Sequence, residues 1–160
     1  MGEDDFDAFF QRVFPAAARL AYRIIGDREA AKDIAAEACA RALARWGDVG
    51  QLGHRDAWIL RVSSNLALDA LRRRPTPLLS QGRASDLEDA VALRLALAAA
   101  LRRLPRRQRE VVVLRYLVGL PDREVADALG IEEGTVRTHA RRGLGALRSF
   151  GLLGREDGTQ

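Results

Sequence analysis

Apolar side chains recur at intervals of three and four residues through segment after segment of this 160-residue chain, and glycine or proline closes most of the segments. That spacing gathers the apolar groups on one face of a 3.6-residue helix but scatters them over both faces of a strand, so only helices bury them together. Phe6, Phe9, Phe10 and Val13, then Ala17, Leu20, Ala21 and Ile24, make the first such face over residues 4–25. Pro15 divides it. A proline has no N–H for the preceding turn, which predicts a break or kink, with Pro15 opening a second piece. Gly26-Asp27 stops the element, and Asp27 is placed to cap a second helix over 28–46, with Ala30, Ile34, Ala38, Ala42 and Trp46 along one side. Gly47, Gly50 and Gly53 predict a loose loop. A helix over 56–73 follows, with Trp58, Val62, Leu66 and Ala70 as its buried stripe. Trp46 and Trp58 are expected in the core.

Pro75-Thr76-Pro77 ends this first unit, because each proline pushes the residue before it out of helical geometry. Residues 75–85 have the Pro, Thr, Ser, Gln and Gly content of a flexible connector. Ser85-Asp86-Leu87-Glu88 then reads as a capping box, in which Ser85 and Glu88 satisfy each other's backbone donors. Four more helices are predicted, over 86–103, 105–117, 121–129 and 132–148. Pro105 and Pro121 suit first helical positions, and Gly119 and Gly130 suit left-handed stops. Val111–Val113 is the one run of strand type, and Leu114, Tyr116 and Leu117 after it fit a buried helix equally well. The expected fold is all-α, with two small helical domains at 1–74 and 86–148, the linker 75–85 between them, and a tail at 149–160 too short for a further regulatory domain.

The net charge is +4 and the sequence pI about 10.1. The excess is local: residues 1–74 hold 12 basic and 11 acidic side chains, whereas residues 101–148 hold 11 basic and 6 acidic ones. A polyanionic partner for the C-terminal half is expected. Lys32 is the only lysine; arginine suits bidentate phosphate recognition, and its dominance equally suits a GC-rich genome. Cys39 is the single cysteine, which excludes an intrachain disulfide and a cysteine metal cluster. No apolar run reaches the roughly 20 residues that span a bilayer, and Gly2-Glu3-Asp4-Asp5 is acidic where a secretory signal is basic. A reduced, cytoplasmic protein is expected. His54 and His139 lack nucleophile or ligand company, so no catalytic group, metal or cofactor is indicated.

Chemistry concentrates in residues 121–148, which read as two helices joined by a short turn at Leu129-Gly130-Ile131, a helix-turn-helix. Val125, Leu129, Ile131 and Val136 would pack the crossing. Val136, Ala140, Gly143 and Leu147 recur at helical spacing and must face inward. At 100° per residue, Thr138 and Arg141 then point outward, flanked by Arg137 and Arg142. A cationic outer face over a narrow Ala/Gly seam suits a helix entering a major groove; it also suits a helical hairpin with a solvated basic face.

The stretch Leu104-Pro105-Arg106-Arg107-Gln108-Arg109-Glu110-Val111-Val112-Val113-Leu114-Arg115-Tyr116, with Glu124-Val125-Ala126 and Gly130-Ile131-Glu132-Glu133-Gly134-Thr135-Val136-Arg137, closely resembles region 4 of extracytoplasmic-function sigma factors, members of the sigma-70 family. Residues Phe6 to Arg74 resemble region 2 through Ala31-Lys32-Asp33-Ile34 with Glu37, Ala57-Trp58-Ile59-Leu60-Arg61-Val62, Asn65-Leu66-Ala67-Leu68-Asp69 and Arg72-Arg73. The resemblance implies a promoter-recognition subunit of RNA polymerase. It assigns Arg137, Thr138, Arg141 and Arg142 to the minus-thirty-five element, Arg61, Asn65, Arg72 and Arg73 to the melted minus-ten strand, and Asp33 and Glu37 to core polymerase. The implied partners are the β′ clamp helices and β subunit of the core enzyme, promoter DNA and an anti-sigma factor. Ser64 stands where the family commonly has Arg, Lys32 where it commonly has Glu, and Glu132, Pro121, His139 and Ala140 also depart from its pattern.

Asp33 and Glu37 bear on this independently, because like charges at i, i+4 cost about 0.2–0.5 kcal/mol in an isolated helix. A basic partner would turn that cost into attraction; Arg41, one turn beyond Glu37, offers relief within the chain. The competing function is a stand-alone helix-turn-helix regulator that binds duplex DNA as a dimer.

Overall fold

The structure, a computed structural model, describes residues 3–73 and 86–152. Every regular element among them is helical.

Helix α1 runs unbroken through Glu3–Ile25 with Pro15 inside it, so the expected break is absent. Pro15 and Gln11 both lie on the exposed side, so the Gln11 carbonyl that the proline leaves without a donor is not sealed inside the core. The opposite face keeps Phe9, Val13, Ala17, Leu20, Ala21 and Ile24 buried in one continuous stripe, and that burial outweighs the local loss. Helix α2 spans Arg28–Ala44, and the Asp27 side chain accepts from the Ala30 N–H at 3.0 Å as expected of its cap. It ends earlier than the periodicity predicts, because Trp46, the last residue of the expected helix, opens a short helix, α3 (Trp46–Val49), that runs into the segment expected to be loop. This turn brings the Trp46 ring 5.1 Å from Phe6 and 5.0 Å from Phe9.

Helix α4, Arg55–Arg73, corrects a second expectation. Its buried residues are Ala57, Ile59, Leu60, Ser63, Ser64, Ala67, Leu68 and Leu71, while Trp58, Val62, Leu66 and Ala70 are only half-buried. The reason is that α4 is covered from two directions, by α1 and α2 and by elements of the C-terminal half. Small Ser63 and Ser64 then go inside, and periodicity that weighs only large apolar groups cannot find them.

The C-terminal half comprises α5 (Asp86–Arg103), α6 (Arg106–Val112), α7 (Asp122–Leu129) and α8 (Glu133–Ser149). Pro105 and Pro121 sit one residue before α6 and α7 as N-caps, not at their first positions. The helix expected over 105–117 changes character: Val113–Val118 winds as a π-helix. The wider turn stops at Gly119, whose φ of 87° is left-handed, and the Leu120 N–H closes back on the Leu114 carbonyl at 3.0 Å. The connector 75–85, Ser85 of the expected capping box and residues 153–160 of the tail lie outside the described residues.

The two halves pack on each other. Helix α4 meets α5, α7 and the π-helical segment, and α1 meets α5. Arg23 of α1 donates to the Leu117 carbonyl at 2.7 Å. Arg94 of α5 lies over Gly26, its guanidinium occupying the space that a Cβ there would need. Gly26 also has φ of 72°. Gly26→Ala is therefore expected to destabilise the protein by about 1–2 kcal/mol from backbone strain alone, with Arg94 displaced in addition; a urea midpoint equal to wild type would contradict this use of the turn.

Candidate nucleic-acid interface

Helices α7 and α8 and the turn between them realise the helix-turn-helix. Gly130 adopts φ of 64°, and the Ile131 N–H returns to the Ala126 carbonyl at 3.0 Å, which ends α7 and redirects the chain. Val125 and Leu129 of α7 and Val136, Ala140, Gly143 and Leu147 of α8 are buried. Gly143 sets how close α8 lies to α6, because a Cβ there would stand 2.7 Å from Val112 Cγ2 and 3.5 Å from the Gln108 carbonyl. The inner seam matches the spacing argument at every position.

On the outer side Arg137, Arg141 and Arg142 are exposed. Among the described residues Arg141 and Arg142 have no carboxylate partner, so their charges face solvent uncompensated. Thr138 is half-buried, not fully outward, and its hydroxyl donates to the Gly134 carbonyl at 3.0 Å. That bond uses the hydroxyl proton and leaves the oxygen as an acceptor and the methyl group for other contacts. Arg137 is tethered: its Nη1 lies 3.9 Å from Asp122 Oδ2 and 3.8 Å from Glu133 Oε2. Asp122, which sequence reasoning missed, also takes Arg115 Nε at 2.9 Å. No sequence period reveals the part of Asp122 in this cluster, since its partners Arg115 and Arg137 come from the π-helical segment and from α8.

The N-terminal candidates divide. Arg72 and Arg73 are exposed at the end of α4, whereas Arg61 and Asn65, one turn apart, are half-buried. The Asn65 Oδ1 is buried without a hydrogen-bond partner among the described residues. Burial lowers the Arg61 pKa from its ordinary value; the charge of Glu110 opposes this, and Arg106 and Arg107 add to it. Arg61 thus sits within electrostatic reach of the C-terminal half. Glu110 is itself fully covered and held by Arg106 Nε at 3.1 Å and Arg107 Nη1 at 3.2 Å, a pairing that the i, i+3 and i, i+4 spacing could have revealed. Asp33 and Glu37 are both exposed on α2, and Arg41 does reach Glu37, at 2.8 Å. Asp33 has no ion pair among the described residues.

Cys39 is buried, and burial pushes its thiol up to about 11, so it is no thiolate nucleophile near neutral pH. Among the described residues no group of His, Cys, Asp and Glu is arranged to hold a metal ion, and no helix is long and apolar enough to cross a membrane.

Comparison with known proteins bears directly on this arrangement. The family model described as Sigma-70 region 2 matches residues 9–75, and that described as Sigma-70, region 4 matches residues 94–147. The chain is 33% identical over 154 residues to the RNA polymerase sigma-E factor of Streptomyces coelicolor, covering 92% of this chain and 87% of that one. It is 31% identical over 149 residues to the ECF RNA polymerase sigma factor SigW of Bacillus subtilis, covering 81% and 80%. The chain belongs to the extracytoplasmic-function sigma factors of the sigma-70 family. Among solved structures, the sigma factor RpoE from Bartonella quintana, determined in complex with the anti-sigma factor NepR, is similar at a TM-score of 0.56 and 20% identity, covering 94% of this chain and 99% of that one. That likeness is one of fold.

As a sigma factor the chain directs RNA polymerase to promoters and initiates transcription, docking on the core enzyme and recognising the minus-ten and minus-thirty-five elements. The family is not a class of enzymes. The alternative of a stand-alone dimeric regulator finds no support in these matches.

Proposed function

We propose the division of labour within this sigma factor. Residues 1–74 dock on core polymerase and hold the minus-ten strand, 75–85 connect, and 86–148 read the minus-thirty-five duplex. The observation that carries this is the outer face of α8, where Arg141 and Arg142 stand exposed and unpaired opposite a fully buried seam. Cations kept free of intramolecular carboxylates are available to phosphates and to the acceptor edge of guanine. Arg141 and Arg142 then contact the duplex with their full charge, Arg137 contacts it while ion-paired with Asp122 and Glu133, and Thr138 contributes an acceptor or methyl contact.

On the N-terminal half, Arg72 and Arg73 are free to meet the minus-ten strand as the protein stands. Arg61 and Asn65 become fully available when the halves move apart, and the buried acceptor of Asn65 then gains a partner. No cofactor takes part, no catalytic chemistry is assigned to any residue, and the protein works in the cytoplasm with polymerase. An anti-sigma factor is included among its partners, since the similar RpoE was solved with one.

Asp33 and Glu37 are assigned to the β′ clamp helices. Charge reversal of both, Asp33→Lys with Glu37→Lys, is expected to weaken binding to core polymerase by at least tenfold while leaving the melting temperature within a few degrees of wild type, because exposed charges contribute little to stability. A pull-down on core enzyme with unchanged affinity would remove these two residues from the interface.

A further inference from the structure

Asp122 is the least exposed acidic side chain of the helix-turn-helix that carries an ion pair, with its side chain 19% exposed. It stands at the first position of α7, where a carboxylate complements the helix N-terminus. Its two oxygens do different things. Oδ1 lies 2.9 Å from Arg115 Nε, a close ion pair that anchors the carboxylate to the π-helical segment. Oδ2 faces Arg137 Nη1 at 3.9 Å, and Glu133 faces the same nitrogen at 3.8 Å from the preceding turn of α8. Both carboxylates thus lie in ion-pair range of one nitrogen of the Arg137 fork, beyond hydrogen-bond distance, and Nη2 and Nε have no carboxylate partner among the described residues. Gly134, with no side chain, leaves room beside Nη2, which would lie 3.9 Å from a Cβ there.

We infer that Asp122 is a positioning residue for Arg137, holding the guanidinium in one orientation across the first turns of α8 so that its free nitrogens meet the minus-thirty-five duplex in a fixed geometry. This rests on the reading of Arg137 as a minus-thirty-five contact. The physical case is one of preorganisation. A free arginine has many rotamers to lose on binding, and a tether that removes them beforehand favours the ligand that matches the held geometry. Only an anchored tether can do this, and the mostly covered Asp122, tied to Arg115, is anchored, whereas Glu133 is half exposed and has no second partner of its own among the described residues. The tether also withdraws part of the Arg137 charge from indiscriminate phosphate attraction. Asp122 therefore raises discrimination in two ways, by strengthening the matched complex and by weakening the unmatched one.

The test uses holoenzyme assembled from the full chain and core polymerase. A promoter fragment is first selected from genomic DNA by run-off transcription with the wild-type holoenzyme. The readout is the ratio of dissociation constants for that fragment and for the same fragment with its minus-thirty-five element scrambled. Asp122→Asn is expected to lower this preference about fivefold, within the usual range for coupled neighbours, with binding to the scrambled fragment no weaker than wild type. In an Arg137→Ala background, Asp122→Asn is expected to change the preference by less than about twofold, because the residue it positions is gone. A purely structural role would weaken binding to both fragments alike. Partial unfolding likewise lowers the active fraction equally for both and leaves their ratio unmoved. Asp122→Glu keeps a charge near Nη1 and is expected to retain most of the preference. An Asp122→Asn effect as large without Arg137 as with it, no effect in the wild-type background, or an Asp122→Glu preference as low as that of Asp122→Asn would each overturn the assignment. If Arg137→Ala alone leaves the preference intact, the reading of Arg137 as a minus-thirty-five contact fails, and the positioning role goes with it.

Discussion

Phe9→Ala is expected to destabilise the N-terminal half by about 3–5 kcal/mol, the range for removing a fully buried aromatic side chain. Phe9 has no exposed surface and lies at the centre of the aromatic cluster, 6.2 Å from Phe6 and 5.0 Å from Trp46 by ring centroids. Arg12 and Arg55 each stand over its ring at 5.5 Å, so the substitution removes two cation–π contacts along with the packing. Arg12 in turn grips Asp56 through both carboxylate oxygens, at 2.7 and 3.2 Å, and thereby ties α1 to the start of α4. Losing Phe9 loosens the frame that presents the Asp33/Glu37 surface of α2 and the arginines of α4 together. Urea unfolding followed by Trp46 and Trp58 fluorescence reads the effect directly. A loss below about 1 kcal/mol would mean that the cluster repacks around the cavity and does not organise this half.

The second large effect belongs to Arg141. If its fork reaches guanine, Arg141→Ala is expected to cost about 1–3 kcal/mol in binding the minus-thirty-five duplex and to relax selectivity at one base pair. A phosphate contact behaves differently: affinity then falls about equally on all sequences, and the salt slope drops by about one. Base contact is the proposed case, because Arg141 is exposed on the side of α8 opposite the buried seam and has no carboxylate partner among the described residues. Titrations of specific and scrambled duplexes at several salt concentrations separate the two cases. Equal losses on both would end the assignment of base reading to this residue.

Which parts of this were legible in the sequence follows from the range of the forces involved. Local signals carried the Asp27 cap, the left-handed glycines at 119 and 130, and the buried seam of α8, since each depends on neighbours within about two turns. Packing between distant segments defeated the same reasoning. Pro15 breaks helices locally, yet the stripe from Phe9 to Ile24 buries continuously against α2 and α4 and holds α1 together. In α4 the buried serines go with coverage from two directions, by α1 and α2 and by the other half of the chain, which no window of sequence contains. The π-helical turn at Val113–Val118 serves contacts to Arg23 and Asp122, respectively 94 residues away in sequence and across a turn. The family resemblance supplied the functional positions, and the structure qualified four of them: Thr138 is bonded to its own helix, Arg137 is ion-paired, and Arg61 and Asn65 are half-buried.

Recognition of both promoter elements by one chain requires that its two halves confer specificity on RNA polymerase together. Run-off transcription with core polymerase and the purified chain, on a library of genomic fragments, tests it most directly. Discrete transcripts are expected from a subset of fragments, absent with core enzyme alone and lost when either the minus-ten or the minus-thirty-five element of the selected fragment is scrambled. No chain-dependent transcript, together with an unaided footprint by a dimer on a palindrome whose half-sites lie about 34–36 Å apart, would contradict it.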